Sequence, residues 1–180
     1  MNLIILIGAP GSGKGTQSQL MSNSLDYPVI CIGDIVRQEM NSKTELGKEM
    51  IRYIETGDLV PSDLINKIFL NKFNSLRSSK GLILDGFPRT VDQAVFLNEV
   101  INGLNIRLNI FFIDVPDEVL IKRLTYRSRA DDKEEIIINR LNTYNLETKP
   151  LLTFYKHLLN TVNGNDTEKN VQSKLIACIN

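Results

Sequence analysis

Residues 8–16 read Gly-Ala-Pro-Gly-Ser-Gly-Lys-Gly-Thr, between the apolar run Leu3-Ile4-Ile5-Leu6-Ile7 and a helix-like segment from Gln17 to Leu25. A glycine-rich turn that leaves a buried strand and enters a helix lets successive backbone N–H groups converge on one anion. The helix adds its unpaired N–H groups and the positive end of its dipole. A bare glycine cluster in that place could be only a tight turn. With Lys14 and the buried strand present, the pattern points to the phosphates of a nucleotide, cradled by Gly11, Ser12, Gly13, Lys14, Gly15 and Thr16. Lys14 would meet the β and γ phosphates, and Thr16 offers a hydroxyl for Mg²⁺. That hydroxyl comes one place later than the general motif asks, because Gly15 follows the lysine.

At 180 residues and 42% hydrophobic content the chain can bury one real core. The expectation is a single domain, 1–180, with small mobile insertions. Lys+Arg and Asp+Glu both number 21, so nothing in the bulk balance points to nucleic acid or a membrane, and neither is expected as a partner. The distribution of charge is more telling. Arg37, Arg89, Arg123, Arg127, Arg129 and Arg140 fall in segments that read as phosphate-facing, and arginine suits a two-pronged grip on phosphate oxygens. Cys31 and Cys178 lack metal-type spacing and read as free thiols of a reducing compartment. With no charged leader and no apolar stretch of membrane-spanning length, the expected location is the cytoplasm. His157 stands alone and reads as a surface or packing residue.

Short apolar runs alternate with longer helical-period segments, the pattern of an α/β fold with a parallel sheet covered by helices on both faces. The runs are Leu3 to Ile7, Val29 to Ile30, Leu82 to Asp85, Leu108 to Asp114 and a weak one near Thr161 to Val162. Pro61-Ser62-Asp63 opens a helix with Leu64, Ile65, Ile68, Phe69 and Phe73 on one face. Further helices are predicted from Val91 to Ile101, from Asp117, from Glu134 to about Tyr144, and after a Thr167 cap. Parallel sheets bind ligands at the carboxyl ends of their strands, where both the glycine loop and Asp85 fall.

Several ordered segments then resemble the adenylate kinases, in their form with a short lid. They are Gly-Ala-Pro-Gly-Ser-Gly-Lys-Gly-Thr, Gly33-Asp34-Ile35-Val36-Arg37, Gly57-Asp58-Leu59-Val60-Pro61, Asp85-Gly86-Phe87-Pro88-Arg89-Thr90 with Gln93, and Asp114-Val115-Pro116. Arg123 with Arg127, and Arg129-Ala130-Asp131-Asp132 followed by Arg140, complete the set. The resemblance covers nearly the whole chain and implies a P-loop NTPase-type fold. It implies a monomeric, Mg²⁺-dependent enzyme of nucleotide biosynthesis that moves a phosphoryl group from ATP to AMP, giving two ADP, without structural zinc.

By the same resemblance, Thr16 and Asp85 would position Mg²⁺, Asp85 through water. Arg123 and the backbone at Asp166 would lie against the ATP adenine. Arg37 and Arg89 would hold the AMP phosphate, within an AMP-binding set of Ile32, Asp58, Leu59, Val60, Gly86, Phe87, Pro88 and Gln93. Arg127, Arg129 and Arg140 would close over the transferring group, with Asp131 and Asp132 orienting them. Residues of about 31–60 would form the AMP-binding flap, and about 128–135 the lid.

Two departures stand out. Cys31-Ile32 replaces the family's Ser-Thr, so the hydroxyl near the AMP base is missing and base reading falls mostly to Gln93. Asn163-Gly164-Asn165-Asp166 lacks the proline that often follows Asp-Gly there. Two other readings stay open: a kinase for UMP or CMP, against which Gln93 argues, and a catalytically weak nucleotide-binding module.

Overall fold

The structure is a computed structural model that describes residues 1–127 and 133–179. Among them, β1 (Asn2–Ile7), β2 (Val29–Cys31), β3 (Gly81–Asp85), β4 (Arg107–Asp114) and β5 (Leu159–Asn163) form one sheet in the order β2-β3-β1-β4-β5. Every pairing is parallel, with Ile5 opposite Leu84 on one side and Ile110 on the other. The most apolar run therefore takes the centre, where Leu3, Ile4 and Ile5 are wholly buried. The weak run became the edge strand β5, which buries only Val162.

A strand turns successive side chains to opposite faces, and here that alternation divides the core. Leu3, Ile5 and Ile7 join Leu82, Leu84 and Ile110 on one face, against α2 (Ile32–Asn41), α3 (Glu45–Thr56), α4 (Ser62–Leu76), α5 (Val91–Ile101) and α8 (Pro150–Phe154). Ile4 and Leu6 join Ile83, Phe111 and Ile113 on the other, against α1 (Lys14–Leu25), α6 (Asp117–Arg127) and α9 (Glu168–Ala177). Two helical layers thus enclose the sheet. The chain runs from β1 outward to β2 and later crosses to β4 and β5, so the loop after β1 lies at the point where the winding reverses.

Several helices follow the sequence pattern closely. Thr90 accepts a hydrogen bond from the Gln93 N–H at the start of α5, and Thr167 does the same for Asn170 at the start of α9. The predicted apolar face of α4 buries Ile65, Ile68, Phe69 and Phe73. Elsewhere the structure differs. α1 begins at Lys14 rather than Gln17, because Gly13 adopts the left-handed conformation (φ +96°) that ends the loop and starts the helix. The helix from Glu134, α7 (Glu134–Thr143), runs on through a π-helical turn at Tyr144–Thr148 into α8. Residues 31–60, which carried no predicted elements, hold α2 and α3. These two helices pack on each other, with Thr44 capping the second. The end of α3 meets α7, where Asn139 Nδ2 donates to Thr56 O at 2.7 Å and to Asp58 Oδ1 at 2.9 Å.

Phe69 on α4 stacks on Phe87 with ring centroids 4.2 Å apart, and also touches Phe73 and Phe96. It is fully buried, whereas Leu146 is 75% exposed. Phe69→Ala is expected to lower the unfolding free energy by about 3–5 kcal/mol. Leu146→Ala should change it by no more than about 0.5 kcal/mol. Urea denaturation of both variants measures the contrast.

Candidate active site

The glycine loop leaves the carboxyl end of β1 and closes on itself, with Ser12 N donating to Ala9 O at 3.1 Å. Because α1 starts at Lys14, the free N–H groups of its first turn face the hollow of the loop. Lys14 folds back over that hollow, its Nζ donating to Gly8 O at 2.7 Å and Ala9 O at 2.9 Å. Burial lowers its pKa from 10.5 to about 8, against the attraction of Asp85 and together with repulsion from Arg89, Arg140 and Arg127. Four cations from four separate stretches of chain therefore act on one another around this loop. Such an arrangement attracts an entering anion.

A cavity of about 990 Å³ opens over the loop and draws its walls from both helical layers. From the loop itself come Gly11, Ser12, Gly13, Lys14, Gly15 and Thr16. Arg89 follows β3, is half-buried, and donates from Nε to Gly86 O at 3.1 Å. That burial lowers its pKa, with Asp85 opposing. Gly86 has φ +78°, and a Cβ there would come within 3.0 Å of Arg89 Nη2, so this turn requires glycine. Arg37 on α2 pairs with Asp34 one turn earlier. Arg127 closes the last turn of α6, and Arg140 lies on α7. Arg129, with Asp131 and Asp132, lies outside the described residues.

The two ends of the cavity differ in chemistry. At one end the lining includes Ile32, Val36, Leu59, Val60, Ile65 and Gln93, with Asp58, Gly86 and Pro88. Asp58 is turned toward neighbours, its carboxylate accepting from Thr56 and Asn139, which lower its pKa. At the other end Arg123 donates to Gly164 O at 3.1 Å, beside Asp166. The Asp166 carboxylate accepts from Lys174, Asn170 and the Thr167 N–H, which hold its pKa near 2.

Phe87 is placed differently from the expectation. Its ring is wholly buried against Phe69 and does not line the cavity. An apolar ring gains more from that stack than from a polar site, so only backbone remains for a ligand at this position. Conversely, Gln17, Tyr144 and Thr148 line the cavity without having been singled out in the sequence. Gln17 Nε2 donates to Glu168 O at 3.0 Å, tying α1 to α9. Tyr144 and Thr148 reach the cavity from the π-helical turn, a feature with no periodic signal.

Asp85 is nearly buried, and a Cβ on Gly15 would lie 3.5 Å from its Oδ2. Its carboxylate and the exposed Thr16 hydroxyl are hard oxygen donors on the same cavity wall. They fit Mg²⁺, which takes few protein ligands and keeps waters and phosphate oxygens. Cys31 donates its S–H to Asp85 Oδ2 at 3.6 Å. Burial and then the Asp85 charge push that thiol up to about 12. Among the described residues, no group of three or more His, Cys, Asp or Glu could hold a metal by itself, and no helix is long and apolar enough to cross a membrane.

A phosphate loop on a parallel sheet, facing a cavity with convergent arginines, defines a P-loop kinase of small phosphorylated molecules. The family model for adenylate kinase matches residues 6–159. Adenylate kinase of Leptospira biflexa is 40% identical over 186 residues, covering 99% of this chain and 100% of its own. Those of Nocardia farcinica (41% over 162 residues, 89% of this chain and 90% of its own) and Mycobacterium tuberculosis (40% over 178 residues, 98% of each) are similar. The chain belongs to the adenylate kinase family and is a nucleoside monophosphate kinase, a phosphotransferase.

The Lys14 environment predicts the pH response of nucleotide binding. From about pH 8 up to 10.5 the folded chain holds fewer protons on Lys14 than the unfolded chain does. Charging this group therefore costs stability below pH 8, and that cost is relieved as pH rises. Phosphate binding has the opposite demand and should take up a proton above pH 8. ATP affinity should be about tenfold weaker at pH 9 than at pH 7, with uptake of close to one proton, by calorimetry in buffers of different ionisation enthalpy. Lys14→Arg, which stays charged, should flatten the profile.

Proposed function

We propose that this chain transfers the γ-phosphoryl group of ATP to AMP, reversibly and with Mg²⁺, giving two ADP. The observation that carries the reading is the convergence of Arg89, Arg127 and Arg140 on the half-buried Lys14. One triphosphate and one monophosphate would neutralise such a cluster. Relatives at about 40% identity over nearly the full chain are adenylate kinases, which favours AMP over UMP or CMP and favours an enzyme over a weak binding module.

In this reading a terminal oxygen of the AMP phosphate attacks the γ phosphorus, and the bond from that phosphorus to the β–γ bridging oxygen breaks. The electron pair stays on the departing ADP. The acceptor oxygen is already anionic, so no general base is required, and the protein's work is alignment and charge stabilisation. The N–H groups of Gly11 to Thr16 hold the donor phosphates, and Lys14 swings from the Gly8 and Ala9 carbonyls onto the transferring group. Arg37 leaves Asp34 to join Arg89 on the AMP phosphate. Arg127, Arg129 and Arg140 spread the charge of the transition state. Thr16 and Asp85 would hold Mg²⁺, which would supply positive charge to offset that of the donor phosphates.

Arg123 and the backbone at Asp166 face the donor base, while Ile32, Leu59, Val60 and Gln93 enclose the acceptor base. The single domain 1–180 carries a flap at about 31–60 and a lid at about 128–135, whose closure would keep water from the phosphoryl group. We assign the protein to the cytoplasm as a monomer.

Lys14→Ala is expected to lower turnover by about 10³ or more with the fold intact, and near-normal ADP formation in a coupled assay refutes the role. Arg129→Ala should lower kcat by roughly 10² to 10⁴ while weakening ATP binding far less. Equal losses in both, measured by steady-state kinetics and calorimetry, would make Arg129 an ordinary binding residue.

A further inference from the structure

The segment after β5, Gly164-Asn165-Asp166, holds a glycine and no proline, so it fixes few of its own torsions. Its backbone is held from outside at both ends. At the near end Gly164 N donates to Asp114 O at 2.7 Å, and Gly164 O accepts from Arg123 Nη2 at 3.1 Å. At the far end Glu168, the first residue of α9, accepts at its carbonyl from Gln17 Nε2 at 3.0 Å. Gln17 follows Thr16 directly and lies in the first turn of α1, where its N–H donates to Gly13 O at 2.9 Å. One side chain thus reaches from the helix that opens on the phosphate loop to the end of this segment.

Packing alone does not account for an amide at this position. Gln17 is 3% exposed, and since a carbonyl can only accept, its nitrogen end must face Glu168. The opposite Oε1 is buried without a hydrogen-bond partner among the described residues. An orphan acceptor carries a desolvation cost, which a methionine of similar length would avoid. Gln172 makes the comparison sharper. From α9 its Nε2 donates back to Leu20 O at 3.1 Å and Ser24 Oγ at 2.8 Å, fastening the same two helices further from the loop.

We propose that Gln17 is a positioning residue for the donor nucleotide, whose bond to Glu168 O sets the spacing between the phosphate loop and the backbone at 164–166. The inference rests on the reading that ATP lies with its phosphates in the loop and its adenine against Arg123 and the backbone at Asp166. A nucleotide gains from its second end only where the two halves of the site stand at the separation that its ribose and phosphates span. A tie made on folding meets the ordering cost of the segment before the ligand arrives. With the tie cut, the loop still holds phosphates, but the base meets a segment that binding itself must order. The loss therefore falls on ligands that carry a base and spares phosphate alone. AMP, at the opposite end of the cavity, is spared as well.

The experiment measures Kd by calorimetry for ATP, inorganic tripolyphosphate and AMP, with steady-state KM and kcat, in the unaltered protein, Gln17→Met and Gln172→Met. In Gln17→Met the Kd and KM for ATP should rise about three- to tenfold, the range of one lost hydrogen bond. The kcat and the Kd values for tripolyphosphate and AMP should stay within about twofold, and retained tripolyphosphate binding also shows that the variant is folded. Gln172→Met, which leaves Glu168 untouched, should keep ATP binding within about twofold. Unchanged ATP binding in Gln17→Met overturns the proposal. So does a parallel loss of tripolyphosphate binding, which would make Gln17 a support of the loop itself, or an equal loss of ATP binding in Gln172→Met, which would make docking of α9 the cause. If the unaltered protein binds tripolyphosphate as tightly as ATP, the placement of the donor base falls. If it forms no ADP from ATP and AMP, the phosphotransferase reading falls, and both outcomes are visible before any variant is made.

Discussion

Repulsion among cations is the constraint around which this molecule is organised. Lys14 sits half-buried beside Arg89, Arg127 and Arg140, with Asp85 as the opposing charge that it senses. Burying one charge already costs free energy, and crowding several costs more. The carbonyls of Gly8 and Ala9 offset part of that cost by accepting from Lys14 Nζ. The rest must come from packing elsewhere, and the fully buried centre of β1 supplies it. The sheet interior is thus apolar enough to hold a loop that would not keep its shape unaided.

Alternation along β1 has a further effect. Since Leu3, Ile5 and Ile7 face one helical layer and Ile4 and Leu6 the other, both layers are anchored to the strand that ends in the glycine loop. The loop is a seam between them. α1 and α6 present Lys14, Arg123 and Arg127, while α2 and α5 present Arg37 and Gln93. A cavity lined from both sides at the end of a central strand can take two ligands whose reacting ends meet over that strand.

Much of this was legible in the sequence because it rests on local rules. The strand runs are continuous and apolar, Thr90 and Thr167 are recognisable caps, and the loop residues occur in uninterrupted order. What escaped notice depends on distance or on an irregularity without a period. The π-helical turn at Tyr144–Thr148 inserts no special residue, so the Glu134 helix read as ending near Tyr144 and the approach of Tyr144 and Thr148 to the cavity went unseen. Phe87 shares its segment with Arg89, yet hydrophobic stacking turns its ring into the core. Thr90-Val91-Asp92-Gln93 has the spacing of a capping box, which could have flagged that Gln93 is bound to backbone. Here its Oε1 meets the N–H of Arg89. Its bond to Ser62, 31 positions away, exists only in three dimensions.

The same crowding has a practical side at Cys31. A thiol reacts as its thiolate, and burial beside Asp85 keeps Cys31 protonated well beyond neutral pH. Cys178, in contrast, lies exposed at the end of α9. Maleimide or iodoacetamide reagents at neutral pH would therefore discriminate between two cysteines that look equivalent in the sequence. The molecule carries its own attachment point for a fluorophore or a surface tether, on the last helix, while the thiol next to the phosphate loop stays chemically silent.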